Sequence, residues 1–223
     1  MISVAIDGPA GSGKSTISKI IAQKLGFVHL DTGALYRAIA YFIDKNNVDF
    51  NNENEVKKCL KFVDLKIEKS GAEQKILLGG KVLSSELRSL NITKIASRIA
   101  SYRCVREYLL NFQRDFAEKQ NVVMDGRDIG TVVLPNASVK IFITASPEVR
   151  AGRRLEQMSK SGEKPDYNEI LDAIKKRDYE DTHRVIAPLK KADDAAVIDN
   201  SNMNLNQTVE SVLSIIKERV ESI

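Results

Sequence analysis

Long apolar runs are missing from this chain. The longest, Ala38–Ile43, has six residues, far short of the roughly 20 that a membrane-spanning helix needs, so no membrane segment is expected. Cysteine and histidine are scarce. Cys59 and Cys104 stand 45 positions apart, and His29 and His183 stand 154 apart. Neither spacing suits a zinc site, and two cysteines make no disulfide framework. The first basic residue is Lys14, so the opening lacks the positive stretch of a secretion signal. A cytoplasmic chain is expected, free of metal apart from what its substrates bring. One-sided charge is missing as well. The 34 basic and 30 acidic residues leave +4, too mild to point to nucleic acid or a membrane surface, and neither is expected as a partner. No internal repeat or low-complexity stretch occurs. What is present is ordinary globular composition, 43% apolar and 29% charged over 223 residues, sized for one large domain.

Short apolar runs alternate with helical patterns. Ile2–Ile6 stops abruptly at Asp7-Gly8-Pro9 and reads as a buried strand. Ile17, Ile20, Ile21 and Leu25 then recur at helical spacing until Gly26 ends the pattern. Phe27–Leu30 is a second strand, followed by Asp31-Thr32-Gly33 and a helix to about Ile43. An asparagine-rich loop, 46–54, leads into a short helix through Cys59. Residues 64–83 differ: alternating runs separated by Ser70-Gly71 and Gly79-Gly80 predict a small antiparallel meander inserted into the alternation. One long helix is expected over Ile92–Phe116, because Ile95, Ile99, Tyr102, Leu109, Phe112 and Phe116 share a stripe. Val122–Met124, Val139–Ala145 and Ala195–Asp199 complete five strands. Charged helices are expected over 147–160 and 167–181 around the breaker-rich stretch 161–166, and a closing helix over 207–221. This pattern predicts an α/β fold, a parallel sheet with helices on both faces.

Gly8-Pro9-Ala10-Gly11-Ser12-Gly13-Lys14-Ser15, followed by Thr16, matches the phosphate-binding G-x-x-x-x-G-K-[ST] between a strand and a helix. Glycines there let successive backbone N–H groups converge on phosphate oxygens, and the helix N-terminus adds its dipole. Lys14 reaches the β- and γ-phosphates of a bound nucleotide in such loops, and Ser15 holds Mg²⁺. No N-K-x-D, D-x-x-G or L-S-G-G-Q occurs, which removes the guanine-reading and transporter elements. A small-molecule kinase and a regulatory ATP binder remain.

Arginine placement favours the kinase. Arg37 and Arg127 follow strands two and three at the carboxyl edge, where ligands bind in such sheets. Arg150, Arg153 and Arg154 follow strand four, with Arg177 and Arg184 beyond. Phosphoryl transfer needs fixed cations, and guanidinium suits phosphate geometry. For any one arginine, a solvated ion pair is the plainer reading. Asp31-Thr32 reads equally as a helix cap or as a place for an acceptor phosphate. Asp125 ends an apolar strand, where a carboxylate orients Mg²⁺ through water. Cys59, Cys104 and His29 read as packing residues.

Taken together, IDGPAGSGKST (Ile6–Thr16), DTGALYR (Asp31–Arg37), ASRIAS (Ala96–Ser101), VRE (Val105–Glu107), DGRDIGTVV (Asp125–Val133), VKIFITAS (Val139–Ser146) and RD with RVIAPL (Arg177–Leu189) resemble the bacterial cytidylate (CMP/dCMP) kinases. The resemblance covers nearly the whole chain. It implies a P-loop kinase core of five parallel strands, a three-stranded acceptor-binding insert at about 60–90, and a mobile lid at about 148–185. It implies ATP as phosphoryl donor, CMP and dCMP as acceptors, Mg²⁺ as cofactor and a monomeric enzyme. Arg37, Arg127 and Arg177 would hold the acceptor phosphate beside Thr32. Ser97, Arg106 and Asp128 would read cytosine, Asp181 and Arg184 would face the sugar, and Arg150, Arg153 and Arg154 would serve the lid. Lys14, Arg127, Arg177 and Arg153 form the implied catalytic set. Arg103 stands where many members have proline, and His183 is a further departure. A kinase for UMP or for a non-nucleotide alcohol is the alternative.

Overall fold

The computed structural model describes residues 1–70, 73–160, 162 and 165–221. In chain order the main elements are β1 (Ser3–Asp7), α1 (Lys14–Leu25), β2 (Val28–Asp31), α2 (Thr32–Lys45), α3 (Glu53–Cys59), β3 (Leu65–Ser70), β4 (Glu73–Leu78), β5 (Lys81–Leu83), α4 (Leu90–Ile99), α5 (Arg103–Glu118), β6 (Val122–Gly126), β7 (Val139–Thr144), α6 (Pro147–Lys160), α7 (Tyr167–His183), β8 (Ala196–Asp199) and α8 (Leu205–Glu221). The strands form one five-stranded parallel sheet, β2-β6-β1-β7-β8, and one three-stranded antiparallel sheet, β3-β4-β5.

Side-chain alternation splits each buried strand between two faces. Val4 and Ile6 join Val123, Ile141 and Ile143 beneath α1 and α8, with Ile17, Ile21, Val212 and Ile216. Ala5, Leu30, Val122 and Met124 pack on the opposite face with Ile129, Val133 and Ala117. Both faces are covered, so the strands tolerate apolar residues at nearly every position. A third cluster, from Leu35 and Ile39 of α2 to Ile95, Ile99 and Leu109, joins the antiparallel sheet through Leu65, Ile76 and Leu83.

Strand register sets the site. Asp31 pairs with Asp125 across β2 and β6, and Asp7 pairs with Gly126 across β1 and β6. The phosphate loop, Asp31 and the Asp125–Asp128 segment therefore emerge at the same carboxyl edge. The meander is present as the antiparallel sheet, with Gly79 and Gly80 both at positive φ in its second turn. The turn expected at Ser70-Gly71 reaches residues 71 and 72, which lie outside the described residues, as do 161, 163 and 164 between α6 and α7.

One expectation fails. The helix read over Ile92–Phe116 is two helices, broken at Ala100-Ser101-Tyr102. Tyr102 keeps the apolar stripe going but is extended (φ −83, ψ 128). Its hydroxyl donates to the Phe50 carbonyl at 3.0 Å while its ring is buried. The carbonyl of Ala100, freed by the break, accepts from Arg106 Nη1 at 3.1 Å. A tertiary anchor thus overrides local helical propensity. Arg103 opens α5 at the position where proline is best tolerated.

Candidate active site

A cleft of about 260 Å³ opens at the carboxyl edge, with Lys14 and Ser15 at one end and Ser97 and Arg106 at the other. At the first end the backbone builds the wall. Gly8 carries no side chain because a Cβ there would stand 2.0 Å from the Ile143 carbonyl oxygen. Gly11 and Gly13, at φ 77 and 85, take the left-handed conformation that turns the loop into α1. Ala10, Gly11, Lys14 and Ser15 face the cleft, whereas Gly8, Pro9, Ser12, Gly13 and Thr16 do not line it.

Lys14 folds back on its own loop, its Nζ donating to the Pro9 carbonyl at 2.9 Å. Burial, reinforced by the charges of Arg127 and Arg177, pushes its ammonium down to about 7. That is a cation short of anionic partners, as an anion site is before its ligand arrives. Ser15 Oγ donates to Asp125 Oδ2 at 2.7 Å. Burial would raise the Asp125 carboxyl, but hydrogen bonds from His29 and Ser15 and the charge of Lys14 outweigh it and hold the group below the usual carboxylate range. A hydroxyl oxygen beside an ionised carboxylate oxygen is a hard donor pair of the kind Mg²⁺ takes when phosphates complete its shell. No group of three or more His, Cys, Asp or Glu side chains is placed to hold a metal ion among the described residues; the Ser15–Asp125 pair suits a cation that arrives with its nucleotide.

His29 is the residue that sequence reasoning undervalued. It is buried, as a packing residue should be. Its Nε2 also lies 2.6 Å from Asp125 Oδ1. β2 and β6 pair in parallel with His29 beside Val123, so His29 and Asp125 share the face that carries α1. No motif marks the contact, because its partners are 96 residues apart.

The other end of the cleft is made of side chains from separate elements. Asp31 caps α2, accepting from the Ala34 N–H at 3.1 Å, and its other oxygen holds Arg37 at 2.9 Å. The Thr32 hydroxyl donates to the Asp125 carbonyl at 2.8 Å. Arg127 donates through Nε to Asp181 at 2.9 Å. Arg177 lies near Arg127 and Arg37; burial, then the charge of Arg127, pushes its guanidinium down. Its Nε is buried without a hydrogen-bond partner among the described residues. A buried donor left unmatched beside further cations fits a phosphate oxygen.

Farther along, Asp128 is buried between Arg106, which hydrogen-bonds one carboxylate oxygen, and Arg184 at 3.5 Å from the other. Tyr36 lies under the Arg106 guanidinium at 5.8 Å. Arg184 Nε donates to the Ala187 carbonyl at 2.5 Å, which tightens the segment after α7. Exposed Ser97 lines the same end from α4.

The cleft thus gathers Thr32, Arg37, Ser97, Arg106, Arg127, Asp128, Arg177, Asp181 and Arg184 with Lys14, Ser15 and Asp125. Three of the arginines expected at the site do not line it. Arg153 donates to Asn200, at 3.1 Å to Oδ1 and 2.9 Å to the carbonyl, and Asn200 in turn donates to the Ser12 carbonyl at 3.0 Å. Arg150 bridges the Ala10 carbonyl and both carboxylate oxygens of Asp178 on α7. Arg154 reaches Gln157 at 3.1 Å.

A family model described as cytidylate kinase matches residues 4–218. A cytidylate kinase from Caldicellulosiruptor saccharolyticus is 44% identical over 96% of this chain and 95% of its own. One from Fusobacterium nucleatum is 43% identical over 100% of this chain and 98% of its own. Among solved structures, an uncharacterized protein from Eubacterium ventriosum shares the fold alone, with a TM-score of 0.55 and 15% identity over 97% of this chain and 99% of the other. With a phosphate loop at one end of the cleft, an arginine cluster at the other and relatives matching over nearly their full length, the chain belongs to the cytidylate kinase family.

Proposed function

We propose that the protein transfers the γ-phosphoryl group of ATP to CMP and dCMP, giving CDP or dCDP and ADP, as a cytoplasmic monomer. The observation that carries this reading is one cleft with two unlike ends. Lys14 and Arg177, buried cations pushed down in pKa, line the same cleft, and a buried Arg106–Asp128–Arg184 array closes its other end.

The chemistry asks for no general base. The second pKa of a phosphate monoester is about 6, so the attacking oxygen is already largely anionic at neutral pH. The protein's work is placement and charge neutralisation. Lys14 moves from the Pro9 carbonyl to the β- and γ-phosphates. Arg37, Arg127 and Arg177 hold the acceptor phosphate in line, which fills the unpaired Arg177 Nε. Ser15 and Asp125 hold Mg²⁺, with His29 fixing the carboxylate. When bound, Mg²⁺ neutralises charge on the donor phosphates. Asp128 accepts from the cytosine N4 amino group, since a carboxylate keeps lone pairs beyond the two arginine contacts. Arg106 and Ser97 donate to the ring acceptors, and Asp181 and Arg184 face the sugar.

In this reading, residues at about 60–90 belong to the acceptor side and those at about 148–185 form the lid. The Gln74 amide on β4 donates to the Asp31 carbonyl at 3.2 Å, which ties the insert to the acceptor end. Arg153, now engaged by Asn200, reaches the phosphates only if α6 moves, and water exclusion by that movement favours transfer over hydrolysis. A coupled assay of ADP release across nucleoside monophosphates tests the proposal. Release that depends on CMP and dCMP, and far less on UMP, is expected; the absence of any acceptor-dependent release would make the protein an ATP-binding module.

A further inference from the structure

Asp7 ends β1 just before the phosphate loop, yet its carboxylate turns away from α1 to the face that holds Ala5 and Ile129. It is 4% exposed. Its two oxygens accept the backbone N–H groups of Ile129 and Gly130, each at 2.8 Å, from more than 120 residues away. Those N–H groups open the π-helical turn Ile129–Val133, and the first donors of any helical turn have no partner within it. An aspartate standing before such a turn ordinarily bends its own carboxylate back to cap it. Asp128 stands there, and its side chain makes no such bond. Both of its oxygens point instead to Arg106 and Arg184.

We infer that Asp7 is a positioning residue for recognition of the acceptor base: it caps the 129–133 turn in place of Asp128 and so leaves the Asp128 carboxylate free to face the cleft. The inference rests on the assignment of Asp128 to the cytosine site. The arrangement is costly, which argues against indifference at this position. Burial pushes the Asp7 carboxyl up to about 6, against the lowering effect of the two N–H bonds. Gly130 keeps the approach close, since a Cβ there would meet Lys140 Cδ at 3.1 Å and Asp7 Oδ2 at 3.4 Å. With Asp7 removed, the two N–H groups lose their partner, and Asp128, at the N-cap of the same turn, is the side chain placed to cap it.

Asp7→Asn keeps the size but offers one acceptor oxygen, and sets its own NH₂ against the second N–H. The CMP:UMP ratio of kcat/KM is expected to narrow about tenfold, with ATP affinity unchanged; in an Asp128→Asn background the same substitution should narrow it no further. Asp7→Ser, which keeps one acceptor in a smaller side chain, serves if the asparagine variant does not fold. Equal loss of CMP and UMP turnover in whichever variant folds, or an undiminished extra narrowing in the Asp128→Asn background, would overturn the inference. A wild-type protein with no preference for CMP over UMP would overturn the underlying assignment instead, and is read before any variant is made.

Discussion

The two ends of the cleft are built on opposite principles. The proposed donor end is mostly backbone: eight consecutive residues, with three glycines at positive φ, turn N–H groups and a helix start toward one place. The proposed acceptor end is mostly side chain, drawn from α2, α4, α5, β6 and α7 and the loops that follow them, and held before any ligand by Asp31–Arg37, Arg127–Asp181 and Arg106–Asp128 pairs. Backbone recognition is indifferent to what lies beyond the phosphates. Side-chain recognition is specific but must be kept in place by ion pairs, because a buried charge without a partner costs several kcal/mol. One consequence is that damage at the donor end should stop chemistry with every acceptor, whereas damage at the acceptor end should spare ATP and weaken acceptor use at the phosphate arginines or change the preferred base at Asp128.

The largest effect is expected at Lys14, the one charged side chain of the donor loop. Lys14→Ala should lower kcat about 10²- to 10³-fold with either acceptor. It should not lower the Tm of the free protein, since it removes a buried ammonium already pushed down to about 7. Full activity in that variant would take the loop out of the mechanism. Next come Arg127→Met and Arg177→Met. In the proposed assignment each removes charge-assisted bonds to the acceptor phosphate, so kcat/KM for CMP should fall about 10- to 100-fold while ATP affinity holds. A raised KM for ATP with unchanged CMP kinetics would mean that the two arginines serve the other nucleotide.

The next variant probes where the two ends resemble each other, because the donor end also relies on side-chain contacts to Asp125. His29→Phe keeps a ring in the core and removes the bond to Asp125. The Mg²⁺ concentration for half-maximal activity, and the Mn²⁺ affinity of the ATP complex read by electron paramagnetic resonance, should weaken roughly tenfold. KM for CMP should not change; a shift there instead would place His29 in the acceptor end. The smallest effect is expected from Arg103→Pro. Tyr102 already has the extended conformation that a residue before proline prefers (φ −83, ψ 128), and the first helical position loses no internal bond. Stability should rise by about 0.4–1 kcal/mol, a few degrees in Tm at most. A fall in Tm would show that the α4–α5 junction depends on the Arg103 side chain.

Legibility in the sequence follows the same division. The phosphate loop is contiguous and its chemistry local, so the residues alone announce it. The alternating core and the Gly79-Gly80 turn are likewise written in short-range patterns. The acceptor residues could be assigned only by resemblance, because nothing local tells a cleft arginine such as Arg177 from a structural one such as Arg150. The missed features are all long-range. Tyr102 leaves the helical path to reach Phe50, His29 meets Asp125 across a strand pair, and Asp7 caps a turn more than 120 residues away.

The central claim is that the acceptor end reads its base through Asp128, and kcat/KM of Asp128→Asn for CMP and UMP tests it most directly. Cytosine offers an amino donor to the carboxylate, whereas uracil turns a carbonyl lone pair toward it. A site built for such a bond rejects the mismatched partner by about 10⁴-fold or more. The asparagine variant adds an amide donor that O4 of uracil can accept. CMP turnover should fall steeply and the CMP:UMP ratio should narrow. Equal loss with both acceptors would show that Asp128 only braces Arg106 and Arg184, and that the base is read elsewhere.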